Sequence, residues 1–387
     1  MNHPNQDCEV VVVGCGGMGA AACCHLAARG VDVIGLERFA RCHDHGSSHG
    51  HSRVVRRAYF EHPDYVPLLV RAFELWNELG DRTGLDCIHQ IGALFCGQPE
   101  SEVYAQSLAS ARAHGLEVED LDPKQLAARF PQFALPDGMC GVYEPDAGFV
   151  IPENGIEAHL RLAEAGGAEI REGVRVDSIE GSDAGVTLQT SQGSIRASRV
   201  VVAAGAWTNR LLGDIGIPLE VHRKMICWFE ALQPDACAES RMPAWIVGGD
   251  LVHSQGDYYG IPTWDGQSGP AGVKVGCHGP GTPIDPDTDS REAPPAEIDR
   301  FERDVQALLP GVLGRIVETA TCLYTMTPDG HFVIGALPEE PRIVVAGGFS
   351  GHGYKFAPVM GEVLADLAMD GGTRLPVGFL GISPDRC

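Results

Sequence analysis

Residues 8–39 read CEVVVVGCGGMGAAACCHLAARGVDVIGLERF, and this stretch decides the fold class. Val10 to Val13 is an unbroken apolar run, the pattern of a strand covered on both faces. Gly14, Gly16 and Gly19 follow it as G-x-G-x-x-G. The first glycine permits a tight turn. The second lets a pyrophosphate approach the backbone, and the third lets the helix pack on the strand. The helix N-terminus then faces the phosphate charge. Gly30 ends the helix, and Val31 to Leu36 forms a second strand. Glu37 stands where an acidic residue holds free ribose hydroxyls. All parts of the unit arrive in order, so a dinucleotide site is expected. The motif alone does not separate NAD from FAD.

Working outward, the chain has 387 residues, which suggests two domains. Hydrophobic residues make up 44% and charged residues 21%, the balance of a soluble globular protein. Lysine and arginine number 29 against 52 aspartates and glutamates, for a net charge of −23. Such a surface repels phosphate backbones and anionic lipid, so neither nucleic acid nor membrane is expected as a partner. An anionic substrate needs a local basic cluster. The N-terminal MNHPNQDCEVVVVGCGG lacks a basic region and is broken by glycines, a poor signal peptide. No apolar run approaches a membrane span, and the final SPDRC matches no address signal, so a cytoplasmic location is expected. The 13 cysteines form no C-x-x-C pair, which disfavours disulfide scaffolds and zinc ribbons. His43, His45, His49 and His51 lie in a glycine-serine loop with no acidic partner at ligand spacing. That loop is solvated or wraps a cofactor, with Arg53 and Arg56 on its far edge; no metal is expected.

Further along, apolar residues recur at helical spacing from about Tyr65 to Leu79. SEVYAQSLASARAHG reads as a helix closed by glycine, and REAPPAEIDRFERDVQALLPGV contains another. VRVDSIEGSDAGVTLQTSQGSIRASRVVVAAGAW reads as successive hairpin strands, and RIVVAGGFSGHGYKFAPVMGEVLADLAMDGG as strand, glycine loop and helix. The expected fold is α/β with two interleaved domains. Residues 1–85, 145–215 and 320–387 form a Rossmann-like nucleotide-binding domain; residues 86–144 and 216–319 form a mixed-sheet substrate domain. The cleft between them is the natural substrate site.

GSSHGHSRVVRRAY, EPDAGF, VVVAAGAW, YYGIP, GVKVGCH, IDPDT, TCLYTMTPDGHFVIG and GFSGHGYKFAP resemble, in order and across the whole chain, the monomeric sarcosine oxidase family, which includes N-methyltryptophan oxidase. The resemblance implies a monomer that binds FAD covalently through a cysteine and oxidises a secondary-amine amino acid, reducing O2 to H2O2. Cys322 matches the flavin-attachment cysteine; the bland alternative is a buried inert thiol. Lys274 matches a lysine beside the flavin ring, where an ammonium stabilises charge developing on oxygen. By strand alternation alone, Val273 and Val275 would face the core and Lys274 the solvent. Arg56 and Lys355 match the pair that grips the substrate carboxylate, although Arg56 could equally make ordinary ion pairs. Tyr259, His278 and Tyr324 match pocket residues whose aromatic faces suit an amine. Arg53 matches an arginine next to the flavin. Lys274, Arg53, His278 and Tyr259 are the expected catalytic residues. Gly14, Gly16, Gly19, Glu37, Arg38, Ser47, Arg53, Val174, Cys322, Gly351, Gly353 and Lys355 are expected to hold the cofactor. The helix starting near Phe356 would aim its positive end at the flavin.

Two departures bear on which amine is taken: Ser48-His49-Gly50-His51-Ser52-Arg53 replaces the family's usual loop, and PTWDGQSGPAGVK is longer than its counterpart. Two rival readings accompany the oxidase: a flavin dehydrogenase passing electrons to a carrier, and a nucleotide-binding protein without turnover.

Overall fold

Val10, Val11 and Val12 have no exposed surface, because the strand Cys8–Val13 lies inside an eight-stranded sheet. The computed structural model describes residues 7–248, 256–383 and 386. Residues 1–6 and most of SPDRC, which carry the targeting expectation, lie outside the described residues. Cys8–Val13 pairs in parallel with Val33–Leu36 on one side and with the end of Gly193–Val202 on the other. Glu169–Arg171 extends the sheet beyond Val33–Leu36, and Ile343–Gly347 joins in parallel at Val200 to Val202. The expected hairpins are present as Val176–Ser182, Gly185–Thr190 and the start of Gly193–Val202, paired antiparallel.

The glycine turn is enforced by space. Gly14 has φ +88°, and a Cβ there would lie 2.6 Å from the Ala203 carbonyl oxygen. A Cβ on Gly19 would lie 1.7 Å from the Gly14 carbonyl oxygen, so only glycine lets the helix Gly17–Ala28 sit down on the strand. That helix packs against the helices Pro152–Ala165 and Ala357–Asp370, giving the sheet an apolar cover. The helix expected near Tyr65 runs Val66–Thr83 and ends at left-handed Gly84. The next runs Glu102–His114, capped by Ser101 and closed by Gly115.

A second, nine-stranded mixed sheet stands beside the first. Its longest strands, Glu220–Ala231 and Leu313–Met326, pair antiparallel along most of their length, with Cys322 opposite Lys224. Residues 320–326, grouped by sequence with the nucleotide-binding segments, are therefore part of the mixed sheet. Val273–His278 pairs with Glu220–Ala231 on one side and Asp257–Ile261 on the other. A three-stranded sheet of Arg53–Val55, Gly148–Val150 and Ile88–His89 completes the strand framework. Among the described residues, no helix is long and apolar enough to cross a membrane.

Candidate active site

A cavity of about 540 Å³ runs from the Gly14–Gly17 turn to the mixed sheet. At the turn, the Gly17 amide donates to Ser48 Oγ at 3.3 Å. Glu37 Oε2 accepts from the Cys15 amide and Oε1 from the Phe39 amide, each at 2.9 Å, so the carboxylate is fixed at the strand end. Arg38, Ser47 and Val174 line the same end, and the Arg38 guanidinium lies over the Phe39 and Trp207 rings.

At the far end, Arg53, Arg56, Tyr259, His278, Tyr324 and Lys355 share the cavity wall. Arg56 is buried and clamps both oxygens of Glu61, at 2.8 and 2.6 Å. Burial pushes the Glu61 carboxyl up, but Arg56, with His352 and Lys355, outweighs it and holds the group at about 2. Lys355 donates to the His352 carbonyl at 2.7 Å. Burial, with Arg56 and Arg53 adding repulsion, lowers its ammonium to about 7. Burial likewise lowers His278 to about 4 and His352 to about 3, so both rings are neutral near pH 7.

Three expected residues sit outside the lining: Gly19, whose missing side chain serves helix packing, Lys274 and Cys322. Lys274 is wholly buried, not solvent-facing as alternation suggests, because the loop covering Gly50 to Ser52 lies on its side of the strand. Its Nζ donates to the Gly50 and Ser52 carbonyls at 2.7 and 2.6 Å, and burial, then Arg53, lower its basicity strongly. Cys322 is buried in an apolar cluster with Ile226, Trp228 and Tyr324. Tyr324, its neighbour in that cluster, lines the cavity.

Sequence reading missed Glu61, Tyr59, His352, Ser48 and Glu153. Glu153 Oε1 accepts from the Gly50 and His51 amides at 2.8 and 3.1 Å, holding the loop that Lys274 grips by its carbonyls. The histidines of that loop divide: His49 is buried, while His43 and His45 pack around Phe39. Among the described residues no three potential ligands gather for a metal.

A glycine turn aimed into a cavity whose other end gathers basic and aromatic side chains defines a dinucleotide-dependent enzyme site. The chain belongs to the FAD dependent oxidoreductase family, whose model matches residues 9–367, and is such an enzyme. Within it, the chain is 39% identical over 372 residues to monomeric sarcosine oxidase of Streptomyces avermitilis, covering 96% of each. It is 34% identical over 366 residues to N-methyl-L-tryptophan oxidase of Salmonella dublin, covering 93% of this chain and 94% of that one. The structure of NikD, an unusual amino acid oxidase essential for nikkomycin biosynthesis, superposes with TM-score 0.85 at 27% identity over 98% of each chain.

The residues present fit FAD. A Cβ on Gly16 would meet only Ser48 Oγ, at 3.7 Å, leaving the backbone open to a pyrophosphate. The helix Gly17–Ala28 has no side-chain bond from its N-cap residue Gly16; its Gly17 amide is held by Ser48 Oγ, and the rest of its first turn can face phosphate oxygens. Around Gly50, three buried polar atoms (His49 Nε2, Ser52 Oγ and Glu153 Oε2) have no protein partner. Such atoms call for a bound polar group or water.

Proposed function

We propose that the enzyme oxidises the carbon–nitrogen bond of an N-methyl or cyclic secondary amino acid. The carrying observation is the meeting of Arg56 and Lys355 with Tyr259, His278 and Tyr324 in the cavity that begins at the Gly14–Gly17 turn. Arg56 offers a planar fork to the carboxylate, and Lys355 a point charge. Glu61 now occupies that fork, so the substrate carboxylate shares or displaces it. Neutral His278 and the two tyrosines wall the amine end without adding charge. Arg53, Arg56 and Lys355 together disfavour a second cation, so the substrate ammonium sheds its proton on binding. A neutral nitrogen has the lone pair that oxidation requires, and no protein base is assigned.

Bound FAD supplies the two-electron acceptor; with O2 as the outside oxidant the products are H2O2 and an imine that water hydrolyses, releasing formaldehyde where methyl was lost. Gly14, Gly16, Gly19, Glu37, Arg38, Ser47 and Val174 would hold its dinucleotide part, and Arg53, Gly351, Gly353 and Lys355 would border the ring. Cys322 would tether the ring by a thioether, and the enzyme would work as a monomer of two interleaved domains, with residues 320–326 counted in the mixed-sheet one. A peroxide assay over N-methylglycine, N-methyltryptophan, pipecolate, proline and glycated amino acids tests the reading. Peroxide with one N-methyl or cyclic amino acid is expected; silence with all of them overturns it.

One observation favours a second reading, a dehydrogenase with another electron acceptor. Lys274, matched by resemblance to the oxygen site, is tied to two carbonyls behind the cavity wall. A large loss of O2 reoxidation rate in Lys274→Met would favour the oxidase, and an unchanged rate would remove the oxygen-site assignment of Lys274.

A further inference from the structure

Two cations that must grip one carboxylate have to stand close together in a dry pocket, where they repel each other. Arg56 is offset by Glu61, but Lys355 is partnered by a carbonyl, not a carboxylate. Both cations lie over the ring of Tyr59: Arg56 Cζ at 4.2 Å from its centroid and Lys355 Nζ at 5.2 Å. Tyr59 has no exposed surface, and its backbone amide is anchored on Ser110 Oγ at 2.9 Å. Its hydroxyl lies 2.6 Å from His352 Nδ1.

That last contact fixes a tautomer. His352 Nε2 lies 3.0 Å from the Gly330 carbonyl, which can only accept, so Nε2 carries the proton. Nδ1 is then an acceptor, and Tyr59 O–H donates to it. The carbonyl of the same His352 receives Lys355 Nζ. One tyrosine thus touches Arg56 and Lys355 with its ring and orients, through its hydroxyl, the residue that holds Lys355.

We propose that Tyr59 is a positioning residue that sets the spacing of the Arg56–Lys355 carboxylate clamp. The inference rests on the carboxylate-site reading above and adds how that site is built. An aromatic face suits the task where a second carboxylate does not. The electron-rich face attracts both cations, yet forms no salt bridge that a substrate would have to break. A carboxylate beside Lys355 would compete for the same ammonium.

The test replaces Tyr59 by phenylalanine and then, by amber suppression, by phenylalanines carrying progressively more ring fluorines. Shape is nearly constant in that series while the negative potential of the ring face falls. The probe is acetate, titrated by calorimetry into the FAD-loaded enzyme, with FAD content and melting temperature measured alongside. Tyr59→Phe is expected to weaken acetate about threefold, the loss of one hydrogen bond to a neutral ring. Full fluorination is expected to weaken it about tenfold further, with FAD content and melting temperature unchanged. The KM for N-methylglycine should rise in step while kcat holds, since the clamp binds ground and transition states alike. If the wild type binds acetate and the fluorine series is flat, the inference about Tyr59 falls alone. If the wild type takes up no acetate, the carboxylate site falls and this inference with it. Should the fluorinated forms misfold, His352→Gln loosens the same hydroxyl and is expected to weaken acetate to the extent Tyr59→Phe does; an unaltered acetate affinity in that variant overturns the proposal.

Discussion

Lys355 and Glu61 set the behaviour of the pocket with pH. Lys355 is charged below about pH 7 and neutral above it. An anionic ligand favours the charged form, so carboxylate affinity is expected to fall as pH rises through 7, up to about tenfold per unit, and to level off above the ligand-bound pKa. His278 and His352, held at about 4 and about 3, stay neutral across that range and contribute no competing step. Acetate titrations from pH 6 to 9 check this, and Lys355→Met should flatten the curve. Glu61 makes a second case. Glu61→Gln removes the anion that competes for Arg56, so acetate should bind more tightly at pH 6. The same change leaves the buried Arg56 guanidinium without its counter-charge, at a cost of about 3 kcal/mol or more in stability, seen as a lower Tm. Tighter binding with lower Tm is the expected pair; weaker binding would mean that Glu61 helps to hold the ligand.

At the scale of elements, the two inner glycines of the first turn do different work. A Cβ on Gly19 would run into the Gly14 carbonyl, whereas one on Gly16 would meet only Ser48 Oγ, at an ordinary contact distance of 3.7 Å. Gly19→Ala is therefore expected to destabilise the protein itself. Gly16→Val should leave the flavin-free protein folded, with near-native circular dichroism, yet sharply reduce the FAD carried through purification. Equal loss of stability in both would refute the division of roles. This element was legible in the sequence because its constraint is local: a glycine required by a turn shows as a glycine. Lys274 was less legible, since alternation describes a strand with one solvated face and Val273–His278 is covered on both. Glu61, Tyr59 and His352 were not legible from the residues alone. The Tyr59 hydroxyl bond spans 293 positions in the chain, and no spacing rule reaches that far. Resemblance supplied Arg56 and Lys355, but not the groups that hold them.

Across the whole molecule, the two large sheets are tied together in the cavity wall through Asp287. Arg38 and Trp207 donate to its Oδ1 at 2.9 and 2.8 Å, and Arg210 pairs with its other oxygen and with Asp285. Arg38 and Trp207 follow strands of the first sheet, whereas Asp287 lies on the segment after Thr282–Pro283 of the second. Asp287→Ala should loosen this bridge, raising protease sensitivity near residues 284–291 with little change in Tm, because each pair is partly solvated. The bridge ties together the two sheets that line one cavity, with the Gly14–Gly17 turn in its wall and the proposed carboxylate clamp of Arg56 and Lys355 in the same wall. The most direct measurement of that arrangement is anaerobic mixing of the FAD-loaded enzyme with N-methylglycine or whichever amino acid the peroxide assay selects. The visible flavin absorbance should bleach in the wild type, while Arg56→Met and Lys355→Met should need far higher substrate to reach the same rate. Bleaching at unchanged substrate concentrations in both variants would contradict a substrate held by its carboxylate between Arg56 and Lys355.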